Sequence, residues 1–292
     1  MAIVVSASRR TDIPAFYMDG FMAAVAAGFF ETVNPFNGKT AILPCGPEQV
    51  AAIVFWSKNF DRFLDQGFGE ILVGEGYRLF FNFTVNSADP LLEPNLPPLT
   101  DRLRQMRELA RRFGPRKIQW RFDPICHYRH ENGPVQHNLA DLEAIARTAA
   151  ACGVRRCVTS FVDPYAKAKR RFAAAGCQIL DLSVAHKAGI VDGMAALLSR
   201  WGIGLDLCCE PAVLAERKPG SGVGQSRCIS HDRIMSAGGR VLSRKPDAGQ
   251  RRSKGCGCHV AVDIGDYRRH PCGHRCLYCY ANARPDTIAA GR

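Results

Sequence analysis

Five of the chain's 13 cysteines fall close together near its carboxyl end: Cys256, Cys258, Cys272, Cys276 and Cys279. The last three have the spacing C-x3-C-x2-C. Thiolates are soft ligands that favour zinc or iron–sulfur centres. Zinc takes four Cys or His ligands in a closed tetrahedron, and Cys256, Cys258, Cys276 and Cys279, with His259 or His274 as extras, would suffice. A triplet with gaps of three and two instead suits an iron–sulfur cluster held by three thiolates, with one iron left open. The spacing favours the cluster and leaves zinc as an alternative. Cys228, Cys256 and Cys258 are candidates for a second site, completed by Cys208, Cys209 or His259. The plainer reading is that Cys256 and Cys258 only brace the first. Cys152, Cys157 and Cys177 lie in apolar surroundings and read as small buried hydrophobes.

Such a site needs a scaffold, and six strand signals supply one. Ile3–Ser8, Ala51–Trp56, Leu79–Val85, Lys117–Asp123, Arg155–Phe161 and Gly202–Cys208 are apolar runs of strand length. Helix signals separate them, over Ala15–Ala27, after Ser57-Lys58-Asn59 to about Gln66, and over Thr100–Phe113, residues 138–151, Ala166–Ala175 and Met194–Arg200. Alternation of this kind predicts a parallel sheet with helices outside. Six units are too few for a closed barrel of eight, and the residues after Glu210 show no further unit. The expected architecture is an α/β, partial (β/α)6 TIM-like barrel over residues 1–211; a doubly wound sheet is the alternative. Residues 212–292 form a basic, cysteine-rich segment, expected to bind metal and fold back over the barrel mouth. A region so poor in periodic apolar residues can be ordered by metal binding.

Polar residues collect at or just past the strands' carboxyl ends, where α/β folds place their sites. Arg9, Arg10, Lys58 and Arg121 offer fixed positive charge to a carboxylate or phosphate. Asp12, Asn82, Asp123 and Glu210 offer polar contacts to a ligand, although the acids can equally pair with those arginines. Trp56 and Tyr17 could stack on a base, but a Trp at a strand end is more often core. His127 and His130 flank a polar stretch after Pro124 that reads as a solvated turn.

The formal net charge is +12, and ten Lys or Arg against two Asp lie between Arg217 and Lys254. That stretch suits a polyanion or a solvated loop. It lacks the aromatic interleaving of a strand-binding surface, so nucleic acid ranks below a small-molecule substrate as partner. The opening MAIVVSASRRTDIP places apolar residues before its arginines, the reverse of a signal peptide. No run reaches membrane-spanning length. A cytoplasmic protein with no membrane partner is expected, and a reducing compartment disfavours a disulfide scaffold.

Cys272-x3-Cys276-x2-Cys279, with Tyr278 before its last cysteine, resembles the signature of radical S-adenosylmethionine enzymes. Cys276-Leu-Tyr-Cys279-Tyr-Ala is similar to the corresponding run of spore photoproduct lyase and related photolyase-like proteins. Over most of its length the chain resembles a bacterial family of unknown function. The marks are Ser8-Arg-Arg-Thr-Asp-Ile-Pro14, Asn34-Pro-Phe-Asn37, Phe55-Trp-Ser-Lys-Asn59, Arg121-Phe-Asp-Pro124 and Cys256-Gly-Cys-x4-Asp263-Ile-Gly-x-Tyr267. The resemblance implies a [4Fe–4S] cluster on Cys272, Cys276 and Cys279; Cys228, Cys256 and Cys258 are, by position, the candidates for a second iron–sulfur cluster. It also implies S-adenosylmethionine on the open iron, and an electron donor such as flavodoxin or ferredoxin. Arg9, Arg10, Arg121 and Tyr278 would then be catalytic, and Asp12, Lys58, Asn82, Asp123 and Glu210 would contact the cofactor. In that class the triplet follows the first strand, whereas here it lies at the far end of the chain. The expected function is radical chemistry on a small or nucleotide-like substrate. The alternative is a nucleic-acid-binding or DNA-repair protein with a structural zinc or iron–sulfur site.

Overall fold

A computed structural model of the chain describes residues 2–34, 37–217, 222–238 and 240–281. Its centre is an all-parallel sheet. The six expected strands are present as β1 (Ile3–Ala7), β2 (Val50–Ser57), β3 (Leu79–Thr84), β4 (Ile118–Ile125), β5 (Arg156–Phe161) and β6 (Gly204–Leu207). Two more follow, β7 (Gly224–Gln225) and β8 (Val262–Asp263). The spatial order is β7-β6-β5-β4-β3-β2-β1-β8, a barrel-like arrangement in an α/β fold. Strands in such sheets are covered on both faces and read as unbroken apolar runs. Val50-Ala-Ala-Ile-Val-Phe55 is buried at every position.

Helices cover this sheet with one face each. Leu99–Phe113 buries Met106, Leu109, Ala110 and Phe113, turns Arg104, Arg107 and Arg111 outward and keeps Arg102 buried. The helix ends at Gly114, whose φ of 90° suits a residue without a Cβ. Aromatic rings fill the space between helix and sheet: Phe60 meets Phe83 edge-on at 5.1 Å, and Phe81 lies 5.1 Å from Phe113. Val184–Arg200 forms one 17-residue helix, longer than expected, because Gly189 and Gly193 dilute its apolar period. Conversely, the expected helix over Ala15–Ala27 is interrupted at Tyr17, giving Ile13–Phe16 and Met18–Ala27. His127 and His130 are not in a solvated turn. They begin and end a strand paired with Gln136–His137 and Cys177–Ile179. Phe29–Val33 pairs with Thr40–Pro44 across the expected turn, of which Pro35 and Phe36 lie outside the described residues.

The carboxyl-terminal region departs most from expectation. It is not a metal-ordered extension. Among the described residues no group of three or more His, Cys, Asp or Glu is placed to hold a metal ion, and the region supplies both edges of the sheet. β7 pairs with β6, and β8 pairs with β1 through Val5–Val262 and Ser6–Asp263. Two residues carry no periodicity, so pairing rather than propensity makes these strands. β8 is fastened by side-chain chemistry: the Asp263 carboxylate accepts from Ser6 Oγ at 2.9 Å, Ser8 Oγ at 2.5 Å, and the amides of Arg9 and Gly265 at 2.8 and 3.0 Å. Arg10 closes the contact by donating to the Gly265 carbonyl at 2.8 Å. Among the described residues, no helix is long and apolar enough to cross a membrane.

The fit at Gly265 is tight, since a Cβ there would lie 2.0 Å from Ser8 Oγ and 2.7 Å from Ser8 Cβ. Gly265→Ala is expected to lower stability by about 1–3 kcal/mol through overpacking, measured by urea unfolding. Gly189→Ala, in a helix with nothing within 4 Å of the new methyl, is expected to be neutral or stabilising by up to about 1 kcal/mol.

Candidate small-molecule site

Above the carboxyl ends of β1 to β6 lies a cavity of about 280 Å³. The strands contribute its floor: Ser8 to Asp12 after β1, Trp56 to Lys58 at the end of β2, Arg121 and Asp123 on β4, Ser160 on β5, and Cys208 and Cys209 after β6. Later residues wall it, among them Arg251, Cys256, Cys258, His274 and Tyr278. Most expected site residues therefore share one cavity: Arg9, Arg10, Asp12, Lys58, Arg121, Asp123, Cys228, Cys256, Cys258, Cys272, Cys276, Tyr278 and Cys279. Asn82 and Glu210 do not line it. Asn82 donates to the Cys228 carbonyl at 3.1 Å, and Glu210 accepts from the Phe161 amide at 2.9 Å, with burial raising its pKa. Both work in the frame.

Several charged groups are used up in holding the site together. Asp12 caps the short helix through the Ala15 amide at 3.0 Å. Its other oxygen accepts from the Lys58 amide at 2.8 Å and bonds His274 Nε2 at 2.7 Å. Lys58 Nζ donates to Glu93 Oε1 at 2.7 Å and to Tyr278 Oη at 2.9 Å. Glu93 also accepts from Asn86 Nδ2 at 2.9 Å and from the Tyr278 hydroxyl, with Arg102 at 3.5 Å. Burial alone would raise the Glu93 pKa, but Lys58, Tyr278 and Arg102 hold it below its ordinary value. Burial likewise opposes the charge on Lys58, which Glu93 more than restores.

On the opposite wall Arg121 donates to Asp123 at 2.5 Å and to Cys228 Sγ at 2.6 Å, and Ser160 bonds the other Asp123 oxygen at 2.5 Å. The Trp56 ring lies between two guanidinium groups, Arg9 at 5.3 Å and Arg121 at 5.2 Å. Trp56 is half-buried and borders the cavity, and its indole donates to Ser6 Oγ at 3.1 Å. Tyr17, the other stacking candidate, donates to the Pro271 carbonyl at 2.5 Å.

Beside this wall thiols gather from three segments. Cys208 Sγ lies 3.8 Å from both Cys209 Sγ and Cys228 Sγ, and Cys256 packs against the same group of sulfurs. Hydrogen bonds from Cys208 and Cys256, assisted by Arg251, outweigh burial and bring the Cys209 thiol down to about 4.

These contacts do not assemble into a ligand set, and the absence of any metal-holding group among the described residues overturns the iron–sulfur assignment. Cys276 packs among Leu92, Cys126, Phe172 and Tyr278, and Cys279 Sγ accepts from the Ala281 amide at 3.3 Å. Burial pushes the Cys272 thiol up to about 12 and raises Cys276 as well. The expected cluster on Cys272, Cys276 and Cys279 is corrected on the absence of such a group among the described residues, as is the second on Cys228, Cys256 and Cys258. With them go the S-adenosylmethionine radical chemistry and the structural zinc of the alternative. Tyr278, expected to be catalytic, accepts from Lys58 Nζ and donates to Glu93. Much of the basic stretch is engaged within the chain: Arg217 donates to Asp192 at 2.7 Å, Arg244 to Asp232 at 2.5 Å, and Arg251 to Asp163 at 2.5 Å. Residues 218–221 and 239 of that stretch lie outside the described residues.

A family model described as Domain of unknown function (DUF1848) matches residues 4–281. The chain belongs to this family. Membership of DUF1848 says nothing in favour of the likeness to radical S-adenosylmethionine enzymes or spore photoproduct lyase, which the thiol geometry overturns. No curated protein matches the chain. Among solved structures, a D-hydantoinase is 11% identical with a TM-score of 0.33 over 60% of this chain. The D-hydantoinase from a Bacillus sp. AR9 gives the same identity and TM-score over 68% of it. The chain spans 38% and 46% of those two proteins.

Within this DUF1848 chain, Glu93 is the site residue that sequence reasoning missed. It lies in a Pro-rich loop that reads only as a connection, where it is one of two acids, with Asp89, among four prolines. Glu93→Gln leaves Lys58 and Arg102 buried beside a neutral group and is expected to cost about 3–5 kcal/mol. Because the Glu93 pKa lies below its ordinary 4.5, its contribution is present above that pH and is lost as pH falls through the depressed value. Urea unfolding followed from neutral into acid should therefore show a shallower loss in Glu93→Gln than in the parent.

Proposed function

We propose that the protein binds a small anionic molecule, carboxylate or phosphate, in the cavity over the carboxyl ends of its strands. One observation carries this reading: both terminal nitrogens of Arg9 are buried and have no hydrogen-bond partner. The nearest carboxylate, Asp247, is an ion-pair contact at 3.6 Å from one of them, beyond ordinary hydrogen-bond length. The other cations of the cavity are engaged: Lys58 by Glu93, Arg121 by Asp123, Arg10 by Gly265, and Arg251 by Asp163. A buried guanidinium left unbonded is costly, whereas a planar anion satisfies two of its donors at once. Burial would lower the Arg9 pKa, but Cys258, Asp263, Asp247 and Cys228 raise it, so the group stays charged. Thr11 Oγ1, also buried and unbonded on the cavity wall, offers a further donor.

The volume of about 280 Å³ sits at the lower end of ligand cavities, about 300 Å³, which favours a metabolite-sized molecule. On this reading the later residues that wall the cavity, among them Arg251, His274 and Tyr278, cover the mouth of the barrel-like sheet. A cavity wall rich in thiols suits a reducing compartment, so the protein is proposed to act in the cytoplasm.

Calorimetric titration with malonate, phosphate and pyrophosphate is expected to show binding of at least one. Arg9→Gln should weaken that binding by about tenfold or more, equal to about 1.4 kcal/mol, with little change in the unfolding midpoint. Binding of none of the three, or equal binding by Arg9→Gln, would overturn the proposal.

A further inference from the structure

The thiols beside the anion site are the largest chemical feature that anion binding leaves unused. Their surroundings separate them. Cys228 accepts from Arg121 at 2.6 Å and is 5% exposed, and Cys258 is 4% exposed. Cys209 and Cys256 are only partly buried, come from different segments, border the same cavity and belong to one group of sulfurs, Cys209 through Cys208 at 3.8 Å and Cys256 through its packing beside Cys228 and Cys258. Cys209 also has a left-handed backbone, φ 61°, a conformation uncommon for a residue with a side chain and found disproportionately at functional sites.

Cys208 is the nearest competitor, with its sulfur 3.8 Å from that of Cys209. A disulfide between adjacent residues would have to close a strained eight-membered ring, whereas Cys256 approaches from a separate segment. A disulfide needs sulfurs about 2 Å apart, with a preferred dihedral near 90°, and two partly exposed thiols on separate segments bordering one cavity can meet that geometry without closing so small a ring.

We propose that Cys209 and Cys256 form a dithiol that reduces a small disulfide bearing carboxylates; the carboxylate preference rests on the anion site at Arg9. The Cys209 thiolate attacks one sulfur of R–S–S–R. The S–S bond breaks, and the first R–S⁻ leaves and takes up a proton. Cys256, as thiolate, then attacks the Cys209 sulfur of the mixed disulfide and releases the second R–S⁻, which is protonated in turn. The protein loses two electrons and two protons, and the disulfide becomes two thiols. Arg251 at the cavity wall favours the attacking thiolate electrostatically, and Arg9 would hold a carboxylate of the substrate.

The test is one turnover of fully reduced protein with dithiodiglycolate or with the uncharged bis(2-hydroxyethyl) disulfide, followed by alkylation and peptide mass spectrometry. Dithiodiglycolate is expected to join the Cys209 and Cys256 peptides, at least tenfold faster than the uncharged reagent. Cys256→Ser should stop at one thioglycolate on Cys209, and Cys209→Ser should form neither adduct nor bridge. Cys208→Ser should still form the bridge, which shows that loss of a neighbouring thiol alone does not abolish the reaction. A bridge that persists in Cys209→Ser, or a Cys209 that reacts no faster than the half-buried Cys152, would overturn the dithiol. Equal rates with the two reagents would uphold the dithiol and overturn the anion site beneath its substrate preference.

Discussion

The Asp263 carboxylate is the contact on which the rest of the site depends. It gathers two hydroxyls and two backbone amides from segments more than 250 residues apart. Hydrogen bonds to an ionised acceptor are stronger than neutral ones, and here they fix the turn after β1 that carries Arg9, Arg10 and Asp12. The same carboxylate brings the following residues, Ile264 to Tyr280, toward the cavity. Without that junction, His274 would not meet Asp12, nor Tyr278 meet Lys58. The site is a joint between the two ends of the chain.

The electrostatics follow from that joint. Buried cations are tolerated only where acceptors reach them, and the cavity contains two such arrangements, Lys58 with Glu93 and Arg121 with Asp123. Lys58 and Glu93 come from separate segments, whereas Arg121 and Asp123 share β4 and are joined by Ser160 from β5. Arg9 is the exception, stacked on Trp56 and left with unbonded donors. This asymmetry, rather than the total basicity of the chain, singles out an anion. The net charge of +12 says little by itself, since many of the arginines between 217 and 254 are bonded to neighbouring acids.

How far the sequence disclosed this is a matter of which interactions are local. Val50 to Phe55 is legible as a strand because burial on both faces demands unbroken apolar residues. β7 and β8 are not legible, because two residues cannot show a period and their pairing depends on β6 and β1. Arg9, Lys58, Arg121 and Asp123 are legible because strand ends in a parallel sheet converge. Glu93 is not, since only the folded loop brings it under Lys58. Cysteine spacing shows the opposite failing. It is conspicuous in sequence, yet spacing constrains separation along the chain and not where each sulfur comes to rest. Cys276 comes to rest in a buried cluster with Leu92, Cys126, Phe172 and Tyr278.

The position of β8 bears on how the molecule is made. A ribosome delivers β1 first and Asp263 only 257 residues after Ser6. At about 5–20 residues per second, that edge of the nascent sheet waits roughly 13–50 s for its last strand. An open, apolar strand edge is a template for pairing with other chains. During that interval the two serines and Arg9 that later bind Asp263 put polar and charged groups at the end of the waiting strand. The groups that anchor the finished site thus also guard the unfinished sheet.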